Sequence, residues 1–240
     1  MISMTSVPHL EYAYIDGEAL RLLTTFAQKR GVAQIAPPIP IDEIIEHHLG
    51  VQFDIEDLSW LGQGVLGATW MEGSGKIAVH AELENDTHQG RLCFTMAHEV
   101  GHWVLHRPLF QAAKIQGSLF DTVRETKPSI FCREVGRASK KARGEYQADR
   151  FAGSLMMPKK FVDEAWRKAV GPQRVSMSQE AKYAKQDFQA KDEYARTLAE
   201  SVRDEGGFEN VSVAAMAVRL KELGWIVMDE SKGRQRMFGL

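Results

Sequence analysis

With 240 residues, 44% of them hydrophobic and 26% charged, the chain has the composition of an ordinary globular protein long enough to bury a sizeable core. A formal net charge of −2 excludes a polycation that coats DNA, and two cysteines, Cys93 and Cys132, are too few for a disulfide framework. No apolar run of about 18 residues and no basic-then-apolar leader is visible, so a cytoplasmic protein without a membrane span is expected.

Asp16 reads as a helix N-cap and Gly31 as the residue past the C-terminus, with Leu20, Leu23 and Ala27 recurring at helical spacing. Pro37, Pro38 and Pro40 interrupt the chain, and a short helix follows from about Ile41 to Leu49, ended by Gly50. Val51, Phe53 and Ile55 alternate with polar residues and predict a strand. A second strand fits Val65 to Met71, and the turn residues Gly73, Ser74 and Gly75 lead into a third over Lys76 to His80. From Gln89 to His106 the pattern is helical, with Leu92, Met96, Val100 and Val104 on one face and Pro108 barring continuation. Residues 109–144 read as loops with at most a short helix. Helices are expected over Glu145–Met157 and Pro158–Ala169.

After Gly171 and Pro172, Ala181, Ala184, Phe188, Ala195, Leu198 and Val202 mark one side of a long polar helix ended by Gly206 and Gly207. Ser212 caps a last helix, Gly224 ends it, and Trp225–Met228 suits a short strand. The expected fold is α+β, with a small antiparallel or mixed sheet on a zincin-like helix. The division is an N-terminal helical segment (1–36), a core (37–172) and a helical extension (173–240).

The chemistry sits in His98-Glu99-Val100-Gly101-His102. Residues four apart share a helix face, so both imidazoles can converge on one tetrahedral ion. Glu99, rotated about 100° per residue around the axis, flanks the ion where a general base for water belongs. His106 lies eight residues, about 12 Å, along the axis from His98, too far for one straight helix to bring both within about 2 Å of one ion. It is expected to line the cleft or to bind backbone. The longer HExxHxxGxxH pattern fails at Leu105 and Pro108. For a third ligand Glu145 is the better candidate, opening a helix with Asp149 one turn on, placed to orient a ligand histidine. The alternative for Glu145 is an acid favoured by a helix N-terminus.

The segments Phe94-Thr95-Met96-Ala97-His98-Glu99-Val100-Gly101-His102, Glu145-Tyr146-Gln147-Ala148-Asp149-Arg150-Phe151-Ala152 and Leu155-Met156-Met157-Pro158 together resemble the ImmA/IrrE family of metallopeptidases, over roughly residues 40 to 160. The resemblance implies one Zn2+ held by His98, His102 and Glu145, with Glu99 catalytic. It also implies a helix-turn-helix transcriptional repressor as substrate, whose cleavage derepresses stress-response, mobile-element or phage-defence genes. His106 and Tyr146 are candidates for a second oxyanion donor, and the strand ending near His80 is a candidate to pair with an extended substrate.

Cys132 is a candidate inhibitory ligand, since thiolate binds zinc strongly, and the alternative is a small buried apolar residue. In the same reading Arg133, Arg137, Lys140, Lys141 and Arg143 contact nucleic acid, with single-stranded DNA as activator, against the plainer reading of a solvated surface. A non-proteolytic metal-dependent regulator, or a toxin-type partner that binds a repressor or DNA, is the competing function. Glu99 discriminates, because a binding module has no use for a carboxylate beside the metal.

Overall fold

The computed structural model describes residues 7–84, 89–117, 129–133, 141–177 and 188–227, with backbone alone for 113–117, 130–133 and 188–190. The chain is α+β and divides into two compact units, residues 1–158 with 210–212, and residues 159–209 with 213–240. The sequence reading placed its boundaries at 36 and 172; the first helix falls inside the first unit, and the units divide at Pro158.

In the first unit, helix α1 (Tyr12–Arg30) precedes a short helix α2 (Ile41–Glu43) that runs on as a π-helix, Ile44–Leu49. Gly31 and Gly50 end these helices with φ of 68° and 65°, a left-handed backbone that glycine adopts without strain. Helix α1 starts a turn earlier than expected. Asp16 is no cap: it lies within the helix and receives Arg150 Nε and Nη2 at 2.9 and 2.6 Å. The apolar stripe of α1 is Ile15, Ala19, Leu22, Leu23, Phe26 and Ala27, while Leu20 is 62% exposed. A period of 3.6 leaves its phase open when apolar residues flank both sides, and docking on a partner decides it.

Strands β1 (Gln52–Glu56), β2 (Val65–Trp70), β3 (Lys76–His80) and β4 (Ile130–Arg133) form a sheet in the order β1-β3-β2-β4. The β2–β3 hairpin was legible from its turn residues. Its register runs from Gly67↔Val79 to Trp70↔Lys76. β1 joins the far side of β3 in parallel, from Gln52↔Lys76 to Glu56↔His80, which makes the sheet mixed. Both edges of β3 are therefore occupied, and the expectation that it pairs with substrate is wrong, because no ladder groups are left to bond. β4 pairs antiparallel with β2, placing Cys132 in a strand where a loop was expected. An irregularity between Val65 and Gly67 resets the alternation of β2, so Val65 and Ala68 join one cluster with Leu58 and Ala78.

Helix α3 (Gln89–Gly117) lies against β2 and β3. It continues through Pro108, against expectation. The helix is anchored just before this point, where Arg107 donates to the Met71 and Gly73 carbonyls at 3.3 and 3.0 Å and stacks on Trp103. The ring of Trp103 occupies the place a side chain at Gly75 would need, so the hairpin turn closes directly on the helix. Helix α4 (Arg143–Met156) crosses α3 where Gly101 faces Ala148. A methyl group on Gly101 would stand 3.1 Å from the Ala148 Cα and carbonyl oxygen and 3.2 Å from Phe151 Cβ. Only glycine lets the two backbones come this close.

The second unit holds α5 (Lys159–Ala169), a two-stranded parallel ladder of β5 (Val175–Ser176) with β6 (Ile226–Val227), α6 (Phe188–Glu205) and α7 (Val213–Glu222). Trp166 stacks on Trp225 with centroids 5.4 Å apart, and the Trp225 indole donates to Asp163 at 2.7 Å. β5 was not foreseen, because two residues are too few to show alternation.

Two glycine-to-alanine changes separate packing from helix propensity. Gly17, in α1, has open space around it, so Gly17→Ala should raise stability by about 0.5–1 kcal/mol. Gly101→Ala should lower it by about 1–3 kcal/mol by forcing α3 and α4 apart. Thermal melts of the two variants, shifting in opposite directions from the native chain, are the check.

Candidate metal centre

The candidate site lies where α3 and α4 cross. His98 and His102 are one turn apart on α3, and both are buried. Glu145, in the first turn of α4, reaches them with Oε2 3.3 Å from His98 Nε2 and Oε1 3.3 Å from His102 Nε2. The two Nε2 atoms are 3.0 Å apart. Among the described residues these three form the group of side chains that could hold a metal ion, with ligand atoms within 4.8 Å of one another.

The protons identify what the cluster needs. His98 Nδ1 lies 2.9 Å from Asp149 Oδ1, and a carboxylate only accepts, so the His98 proton is on Nδ1. Lys141 holds the other Asp149 oxygen at 2.5 Å. Burial alone would raise Asp149, but the hydrogen bond from His98 and the charge of Lys141 override it and hold its pKa down. Burial pushes His102 down to about 4, so it stays neutral near neutral pH. A carboxylate and two nitrogen lone pairs therefore point at one spot, a set of acceptors that a cation satisfies. Donors at about 2.0–2.1 Å from a tetrahedral zinc stand about 3.3 Å from one another, close to the separations seen here.

Glu99 stands beside this cluster, fully buried. Its Oε2 accepts from Thr69 Oγ1 at 2.6 Å, while Oε1 has no hydrogen-bond partner. A methyl group on Gly67 would lie 2.5 Å from that Oε1, so the bare backbone of β2 makes the space for the carboxylate. Burial, helped by the negative charge of Glu145, pushes Glu99 up to about 7 against the pull of His98 and Thr69. Gly67 and Thr69 were missed in the sequence. The only signal was their place in the hairpin that precedes the motif helix.

Residues 82–196 match the family model described as the IrrE N-terminal-like domain, a peptidase family. This segment belongs to the ImmA/IrrE family. The matched segment carries His98, Glu99, His102, Glu145 and Asp149, while Gly67 and Thr69 lie before it. No curated protein and no solved structure matches the chain.

Other expected residues stand differently. His106 neither lines a cleft nor binds backbone. It is buried, with Nδ1 2.9 Å from His102 Nδ1 and Nε2 2.9 Å from Gln147 Oε1, so it has no proton to offer an oxyanion. Tyr146 is 59% exposed beside Glu145. The register of β4 sets Cys132 opposite Gly67, one strand from Glu99. Of the basic cluster, Lys141 is engaged by Asp149 and Arg143 donates to the Val7 carbonyl at 3.0 Å. Arg133 pairs through its backbone with Val65 in β4, and Arg137 and Lys140 lie outside the described residues. Ser59, His80 and Asp57 also come together, but His80 Nδ1 accepts the Glu82 amide at 3.1 Å. Its proton is on Nε2, which therefore cannot take one from Ser59.

In the metal-free protein the raised pKa of Glu99 gives a signed pH dependence. The folded chain holds the proton above the ordinary carboxylate value of 4.5, so the associated stability is present below that pH and lost as pH rises through about 7. Glu99→Gln has no charge to bury. Chelator-treated Glu99→Gln should out-melt the native chain above pH 7 by about 3 kcal/mol, and the gap should close toward pH 4.5. A gap independent of pH in paired thermal melts would contradict this origin.

Proposed function

We propose that the chain is a zinc-dependent endopeptidase that cleaves a helix-turn-helix transcriptional repressor, with His98, His102 and Glu145 as ligands of one ion and Glu99 as the catalytic acid–base. The observation that carries the chemistry is the unpartnered Oε1 of the buried Glu99 beside three convergent acceptors. The membership of residues 82–196 in a peptidase family supports the reaction class, and the motif resemblance supports the repressor as substrate.

A zinc ion at these ligands supplies Lewis acidity to the scissile carbonyl and lowers the pKa of water. Glu99 then handles the proton. Thr69 fixes Oε2, which leaves Oε1 as the atom that takes a proton from the attacking water and returns it to the leaving amine as the C–N bond breaks. Asp149 orients His98, and Lys141 holds Asp149 in place. This placement of helix, strand and carboxylate supports a zincin-like reading of the fold.

The test is incubation of the purified, zinc-loaded chain with repressors encoded near its gene, with and without chelator. Discrete fragments that disappear with chelator are expected. Glu99→Gln should abolish cleavage, by about 100-fold or more, while zinc content measured by elemental analysis stays unchanged. Cleavage that survives in Glu99→Gln would sink the assignment, and zinc loss in that variant would place Glu99 among the ligands.

Cys132 belongs to this proposal as a brake. Its strand position directly opposite Gly67, the residue that borders Glu99, supports the role. Cys132→Ala should raise basal cleavage several-fold without changing zinc content. Unchanged basal cleavage in a fully zinc-loaded variant removes the brake and leaves the peptidase reading standing.

A further inference from the structure

The two histidines at the metal centre are backed by different chemistry. Behind His98 stands a charged pair, Asp149 with Lys141. Behind His102 runs a neutral chain: His102 Nδ1 to His106 Nδ1 at 2.9 Å, His106 Nε2 to Gln147 Oε1 at 2.9 Å, and Gln147 Nε2 to the Pro8 carbonyl at 2.8 Å. All three side chains are buried.

The direction of this chain is forced from its far end. The Pro8 carbonyl can only accept, so the Gln147 amide nitrogen must face it and the amide oxygen must face His106. That oxygen also only accepts, so His106 carries its proton on Nε2. The Nδ1 of a neutral His106 is then a lone pair, and His102 must donate to it from Nδ1. The Nε2 of His102 is left bare, facing Glu145 and His98 Nε2. One backbone carbonyl, three steps away, thus decides which nitrogen of His102 is free.

We propose that His106 and Gln147 are positioning residues for the metal centre, which hold His102 in the tautomer that presents the Nε2 lone pair before any ion arrives. The inference rests on the reading that His98, His102 and Glu145 hold the cation. It adds that the fold, and not the ion, sets the protonation pattern. A residue that merely filled the space behind His102 could be replaced by any ring of similar size. A residue that orients His102 needs an acceptor where Nδ1 now stands, and asparagine keeps an oxygen near that place.

Two measurements on the full chain decide it. The first is the zinc dissociation constant, read by competition with a chromophoric chelator, for the native chain, His106→Phe and His106→Asn. His106→Phe should bind zinc about 10–100-fold more weakly, the usual cost of losing the group behind a ligand histidine, and His106→Asn should recover most of that loss. His106→Phe within about threefold of native, or His106→Asn no better than His106→Phe, overturns the proposal. The second needs no variant: the 15N spectrum of histidine side chains in metal-free native protein should show His102 protonated at Nδ1 and His106 at Nε2. A His106 proton on Nδ1 overturns it even if the variants fail to fold. If native protein takes up no zinc at all, the metal reading itself falls, an outcome distinct from native binding that His106→Phe leaves intact.

Discussion

The close approach of α3 and α4 at Gly101 and Ala148 is the constraint on which the site depends. Two imidazoles on one helix turn can point the same way without help, but the third acceptor comes from a different helix. Glu145 stands 3.3 Å from both histidines only because no side chain separates the backbones one turn below. Convergence of a carboxylate with two lone pairs is unfavourable for the empty protein, and tight packing around it keeps the groups from relaxing apart. The rest of the first unit supplies that rigidity. Arg150 and Ser154 of α4 both bind Asp16 of α1, and Trp103 of α3 closes on the hairpin at Gly75.

The same arrangement separates two carboxylates in one small volume. Glu145 faces two imidazoles, whereas Glu99 has one hydroxyl for company and is pushed toward neutrality. In the proposed function two acids with such different environments take different roles, ligand and proton carrier. β2 makes the difference: Gly67 clears the space for Glu99, and Thr69 ties down one of its oxygens. The sheet lines the candidate site as well as supporting it, although the matched family segment begins only after β3.

Behind the ligands the polar groups form directed chains that end on groups with no choice of role, a carboxylate beside a lysine on one side and a backbone carbonyl on the other. In the proposed reading such chains keep the nitrogen lone pairs bare without an ion to enforce the pattern. It also explains the burial of Gln147, a polar residue in α4 between Glu145 and Asp149.

The sequence alone picked out the candidate site residues on α3. Four-residue spacing on an amphipathic helix put His98 and His102 on one face with Glu99 beside them, and turn glycines marked the β2–β3 hairpin. Periodicity also placed α4 and α7 within a few residues, since local rules govern local geometry. Tertiary structure decided everything that depends on distant segments meeting. It made Glu145 a neighbour of both histidines, where spacing left a helix-terminal acid equally open. It turned Asp16 from a cap into the anchor of Arg150, and it carried α3 past Pro108. It also put Gly67, Thr69, His106 and Gln147 around the centre. The physical reason is the same in each case: a hydrogen bond between residues tens of positions apart leaves no periodic trace in the chain, and only packing brings its partners within reach.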